Sequence, residues 1–263
     1  MKQSLKTLIK ILIILLLYFL TQALVMTVFA AIGGMGVQGD IQGAMTAYLE
    51  EKALLVTLVH NVLVIFCLFI YRRRSAAAKE AMPFKALSLK ESAICLGAGV
   101  CFAFTISILL SLLPIPEELL STYSSTVTEG TSGTPVEKLL SIAFVAPIAE
   151  ELLFRGAIYG SFKRTSRPII AIAASCALFG LMHQDPIWII YAFLMGLGLT
   201  LALNAYGTLL APIMLHMGFN LAGYFVAPIL EGITLYVVLI AIAGCVLFIR
   251  HARTLPKYQG DKQ

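Results

Sequence analysis

The chain has 263 residues, 59% hydrophobic and only 13% charged, with a mean hydropathy of +0.91. A soluble protein carries about 25% charged residues, so the composition excludes an ordinary soluble fold and indicates an all-α polytopic membrane protein. The net charge of +5 does not point to nucleic acid, because most basic residues flank apolar runs, where they set topology.

Eight apolar runs are long enough to span a bilayer: 8–32, 53–71, 92–113, 137–160, 168–183, 187–204, 208–228 and 232–250. They form one expected membrane domain over 1–263, with three spans in 1–113, a core at 137–228 and a last span at 232–250. The first run follows Lys2, Lys6 and Lys10, as a signal peptide's would. Its apolar stretch exceeds the roughly 7–15 residues of a signal h-region, so an uncleaved helix is expected despite the weak cleavage-like Val28-Phe29-Ala30. Ser75 to Lys90 reads as an interfacial helix or a plain connecting loop. Pro114 to Pro135, rich in Ser and Thr, reads as an exposed, mobile loop. His183-Gln184-Asp185-Pro186 and Asn204-Ala205-Tyr206-Gly207 read as short turns.

With the N-terminus inside, 16 of the 19 Lys and Arg residues fall on cytoplasmic segments. Lys52 and Lys138 fall outside, and Arg155 lies within a span. Asp40, Glu50, Glu51, Glu117, Glu118, Glu129, Glu137, Asp185 and Glu231 fall on the opposite side. The expectation is a multi-pass protein of the cell membrane with both termini cytoplasmic. Cys67, Cys95, Cys101, Cys176 and Cys245 form no CxxC pair and read as reduced, buried apolar residues.

The chemistry concentrates where the fourth run carries Glu150, Glu151 and Arg155. An ionised group at the centre of a membrane helix costs about 2.5–3.5 kcal/mol on insertion scales, so these three need compensation. Glu151 and Arg155 are i and i+4 and can pair. Glu150, turned about 100° away, is left for another task. His183 ends the fifth run, and His216 and Asn220 share a face of the seventh. His60 and Asn61 in the second run read as a helix–helix hydrogen-bonding pair. If the helices pack as a bundle, Glu150, His183, His216 and Asn220 can meet in one cavity. A carboxylate there suits a general base, an imidazole can share water or protonate an amine, and His and Asn can hold an oxyanion. No Gly-x-Ser-x-Gly or His-Glu-x-x-His motif is present. Glu150, His183 and His216 also make a possible His₂Glu zinc set.

Glu150-Glu151-x-x-x-Arg155, Phe179-x-x-x-His183 and His216-x-x-x-Asn220 together resemble the three motifs of the CPBP intramembrane protease family. That family, also called Abi, takes in CAAX proteases and bacteriocin-processing enzymes and includes the type II CAAX prenyl endopeptidases. The resemblance covers about 137–228. It implies an eight-helix intramembrane endopeptidase with a site opening towards the cytoplasm. In the family's pattern Glu150 and His183 activate water, His216 and Asn220 form the oxyanion site, and Glu151 and Arg155 support them. A glutamate-type mechanism without cofactor is preferred here, with a divalent metal such as zinc as the alternative. The expected partners are the lipid bilayer and a membrane-associated peptide or protein substrate, and no nucleic acid. A non-catalytic scaffold or bacteriocin-immunity protein of the same fold stays open. So does a proton-coupled transporter, although no internal repeat is visible.

Overall fold

The computed structural model describes residues 2–130, 133–223 and 234–255. Parts of two expected spans, 224–228 and 232–233, lie outside the described residues, as do Glu231, Lys257 and Lys262. All regular structure described is helical, and the chain is an all-α polytopic membrane protein. In order, the helices are α1 (Lys2–Gly34), α2 (Ile41–Glu51), α3 (Ala53–Arg74), α4 (Ala76–Ala81), α5 (Leu89–Ser111) and α6 (Glu117–Gly130). A composite helix, α7 (135–162), is followed by α8 (Pro168–Leu181), α9 (Pro186–Tyr206), α10 (Leu210–Leu221) and α11 (Thr234–Thr254). Five of these, α1, α3, α5, α9 and α11, are long and apolar enough to cross a membrane, while α8 and α10 are shorter apolar helices.

Local chemistry explains the boundaries. Ser88 and Glu91 form a reciprocal capping box that opens α5, and Thr134 and Glu137 do the same for α7; each box satisfies two orphan N–H groups. Asp185 caps α9 by accepting from the N–H groups of Ile187 and Trp188. That capped turn joins α8 to α9 within four residues, as its sequence suggests. Helix α9 runs on through Asn204 to Tyr206 and stops at Gly207, which takes φ 66° in the left-handed region where glycine carries no Cβ penalty.

Three expectations need correction. The expected mobile loop at 114–135 holds helix α6 instead. Its first turn carries Glu117 and Glu118, favourable at a helix N-terminus. Its hydroxyls bond the preceding turn, as with Ser121 and Thr122 to the Glu118 carbonyl and Thr126 to that of Thr122. Segment 75–90 is partly helix and partly extended: α4 is capped by Ser75, and Arg72 Nε donates to the Met82 carbonyl at 2.9 Å. Cys67 is exposed on the outside of the bundle rather than buried, while Cys95, Cys176 and Cys245 are buried and all five cysteines are free.

The fourth apolar run is not a uniform α-helix. Leu139–Val145 and Glu151–Tyr159 are wound with the wider π pitch, and the α-helical turn Ala146–Glu150 lies between them. Pro147 accounts for the first stretch: it lacks the N–H that an α-helix would place against the carbonyl of Ala143, and its ring crowds that carbonyl. Such bulges gather at functional sites, and Glu150 lies just before the second one begins. The core lies around this helix. Leu152, Leu153, Phe154, Ile158, Phe179, Leu199, Leu209 and Leu215 are all fully buried. Helices α5 and α10 cross so closely that a Cβ on Gly99 or Gly218 would overlap the other helix's backbone.

Candidate active site

The two adjacent glutamates face different environments. Glu151 and Arg155 are both 0% exposed and paired, Arg155 Nη1 donating to Glu151 Oε1 at 3.0 Å. The same Glu151 oxygen lies 2.9 Å from His216 Nδ1. Because a carboxylate accepts, this contact places a proton on Nδ1 and turns Nε2 of His216 away from Glu151. Nε2 then lies 3.7 Å from Glu150 Oε2, just beyond hydrogen-bond range. Glu150 keeps 23% of its side chain exposed. An order Arg155, Glu151, His216, Glu150 thus runs from the sealed core to the accessible carboxylate.

The other two groups approach from α8 and α10. His183 Nδ1 lies 3.0 Å from the Phe179 carbonyl one turn earlier. A carbonyl can only accept, so Nδ1 carries the proton and Nε2 the lone pair. Asn220 Nδ2 donates to the Ile142 carbonyl at 2.8 Å, inside the first π stretch. An amide nitrogen has two hydrogens, so the other remains for a ligand. Glu150, His183, His216 and Asn220 all line one cavity of about 820 Å³, within the range of about 300–1,000 Å³ usual for ligand pockets.

Phe179, to which sequence reasoning gave no role of its own, is the common packing surface. The Arg155 guanidinium lies 4.3 Å from its ring centroid, and the rings of His183, His216 and Phe154 meet it edge-on. The only hint in the sequence was its place four residues before His183. Gly196 leaves room for the guanidinium, since a Cβ there would come within 3.1 Å of Arg155 Nη2. Tyr18, Trp188 and Tyr191 also line the cavity, and no motif marked them. His60 departs from its expected role. Among the described residues neither of its ring nitrogens has a hydrogen-bond partner, and the ring instead packs edge-on against Tyr18 at 4.7 Å.

For a zinc ion the fit is poor. Among the described residues no three His, Cys, Asp or Glu side chains are gathered closely enough to form a ligand set, although the Glu151 contact on His216 Nδ1 leaves Nε2 turned to the cavity.

The cavity's position matters as much as its lining. Its lining includes Thr122, Tyr123 and Thr126 of α6, the turn 184–186, the start of α3 at Leu54 and Thr57, and Gly223, of which Thr122, Gln184, Pro186 and Gly223 are exposed and mark its rim. The basic segments lie at the opposite helix ends. There Arg164 pairs with Glu80, Lys163 donates to Asn204, and Thr208 bonds the backbone of Lys85. The cavity and the basic segments thus lie towards opposite ends of the helices that carry them.

These features define a polytopic α-helical membrane protein with a buried Glu–Arg–His cluster behind a polar cavity. The type II CAAX prenyl endopeptidase Rce1-like family matches residues 132–222, which include every motif residue discussed. Over this core, about a third of its length, the chain is similar to the Rce1-like family. A curated relative, the UPF0177 protein in abiGi 5'region of Lactococcus lactis subsp. cremoris, is 37% identical over 101 residues. That alignment spans 38% of this chain and 42% of the relative, so less than half of the relative is covered. No solved structure matches the chain significantly.

Proposed function

We propose that the protein is an intramembrane endopeptidase of glutamate type that hydrolyses peptide bonds of membrane-associated substrates. The observation that carries this reading is the meeting of Glu150, His183, His216 and Asn220 on one cavity, while Glu151 and Arg155 are sealed behind it. In this scheme Glu150 takes a proton from water as the general base, and the Nε2 lone pair of His183 holds the same water. The hydroxide adds to the carbonyl carbon. The resulting oxyanion receives the second Asn220 N–H and the Nε2–H of a His216 carrying both ring protons. Collapse breaks the C–N bond, and the proton held by Glu150 passes to the leaving amine. Glu151 does not touch substrate; it fixes the orientation of His216, and Arg155 anchors Glu151.

The metal-free form is preferred because Glu150 is a partly exposed carboxylate 3.7 Å from His216 Nε2, suited to a base, and ligation would remove it from that role. The experiment is comparative proteomics of membranes carrying the native chain or Glu150→Gln. A set of membrane-protein fragments that vanishes with Glu150→Gln supports the proposal. Identical peptide patterns would leave a non-catalytic membrane scaffold instead.

A further inference from the structure

The cavity's charged lining is one-sided. Among the described residues that line it, Glu150 and Asp185 are acidic and none is Lys or Arg. The segments outside the description nearest to it in sequence, 131–132 and 224–233, contain no Lys or Arg either. Arg155 does not serve as a cation for the cavity, being 0% exposed, paired with Glu151 and stacked on Phe179. A peptide C-terminus bound here would bring a carboxylate beside two others with no Lys or Arg to receive it and with His216 already paired to Glu151, an arrangement that like-charge repulsion disfavours.

The rim is the second observation. It is built from α6, the 184–186 turn and Gly223, of which Thr122, Gln184, Pro186 and Gly223 are exposed. These lie at the helix ends opposite Arg72–Arg74, Lys85, Lys163 and Arg164. Among the described residues the segments on the rim's side carry eight acidic residues against Lys52 and Lys138, a field that draws cations and repels anions. Basic segments stay on the cytoplasmic side of a membrane.

We infer that this cavity takes its substrate from the outer face of the membrane, opposite the basic segments, and accepts an internal peptide stretch that is neutral or basic. The sidedness is independent of the peptidase reading; the charge preference rests on it. The substrate class is therefore an exported or outward-facing membrane peptide cut within its chain, not a cytoplasmic protein recognised by a free C-terminal carboxylate.

Two measurements on the full chain test this. In the first, Ser124→Cys on exposed α6 and Lys79→Cys on α4 are treated in intact cells with a membrane-impermeant maleimide, against the unsubstituted chain as background. Ser124→Cys is expected to label directly and Lys79→Cys only after permeabilisation; the reverse pattern, or labelling of both from outside, overturns the sidedness. In the second, internally quenched decapeptides are given to the purified protein in detergent. A Lys-containing peptide should be cut whether its C-terminus is amidated or free, within roughly threefold, whereas replacing Lys by Glu should slow cleavage by about tenfold or more. A requirement for the free carboxylate, or faster cutting of the Glu peptide, overturns the charge assignment. Expected labelling with no peptide cut by the native chain counts against the peptidase reading and leaves the sidedness standing.

Discussion

Replacing Glu151 by Gln isolates what the buried pair contributes. Glutamine keeps the volume and an acceptor oxygen, so contacts to Arg155 Nη1 at 3.0 Å and His216 Nδ1 at 2.9 Å can persist while the charge is lost. Breaking one partner of a buried pair costs about 3–5 kcal/mol. Here the lower end applies, for two reasons. Glu151 Oε2 and Arg155 Nε and Nη2 lack partners among the described residues, so the pair is incompletely satisfied from the start. The Phe179 face, 4.3 Å from the guanidinium, keeps part of the cation's stabilisation, up to about 2 kcal/mol when desolvated. A loss near 3 kcal/mol is a little over a hundredfold in the folding equilibrium, or about 6–12 °C in Tm for a chain of this size. Arg155→Met should lose a similar amount. The double variant Glu151→Leu with Arg155→Met should recover most of it, because apolar replacement of a whole buried pair is neutral or stabilising by about 1–4 kcal/mol. It should nevertheless stay inactive, since His216 then has no acceptor for Nδ1. The assay is thermal unfolding in detergent beside cleavage per folded molecule. Additive losses in the double variant, or a native Tm for Glu151→Gln, would refute the reasoning.

Glu150→Gln should differ by leaving the fold intact, since this side chain is partly exposed and has no ion-pair partner within 3.5 Å; at least about a hundredfold of hydrolysis should go with the general base, read as turnover at unchanged Tm. In the α5 capping box the Ser88 hydroxyl and N–H, bonding to Glu91, hold its carboxyl below the usual carboxylate range. Because the folded value is the depressed one, this stabilisation is full above the ordinary value of about 4.3 and is lost as pH falls through the folded value. Ser88→Ala should cost about 1 kcal/mol at neutral pH and little at the acid end, as seen by unfolding at a series of pH values. Elemental analysis of active, purified protein should find no stoichiometric zinc; zinc that tracks activity would move Glu150 from base to ligand.

Much of the helix order was legible because a bilayer demands long apolar runs, and most of the described helix ends lie within a few residues of theirs. The pairing of Glu151 with Arg155 was legible too, being a local i,i+4 contact. The bond from Glu151 to His216 was not: it joins residues 65 apart in sequence, and helical period says nothing about which faces of distant helices meet. It changes the place of Glu151 from the partner of one cation to the hinge between the core and the cavity. Helix α6 was hidden because Ser and Thr usually signal loops, and only their bonds to the preceding turn reconcile them with a helix. His60 was misread since an apolar Tyr18 face, not a polar partner, covers it.

The π stretches around Glu150 bear on how this chain tolerates changes of length. A helix turns about 100° per residue, which is also what separates the directions of the two glutamates. Deleting one residue from Leu139–Val145, with the path of α7 kept, would bring Glu151 to the place of Glu150, Leu152 to that of Glu151 opposite His216, and Gly156 to that of Arg155. An accessible carboxylate would survive the deletion, but the buried one would not. Substitutions in this stretch alter packing, whereas insertions and deletions reassign which glutamate meets water. A catalogue of natural variants of such a core should therefore show residue changes in 139–145 and a fixed spacing from there to the Glu-Glu pair.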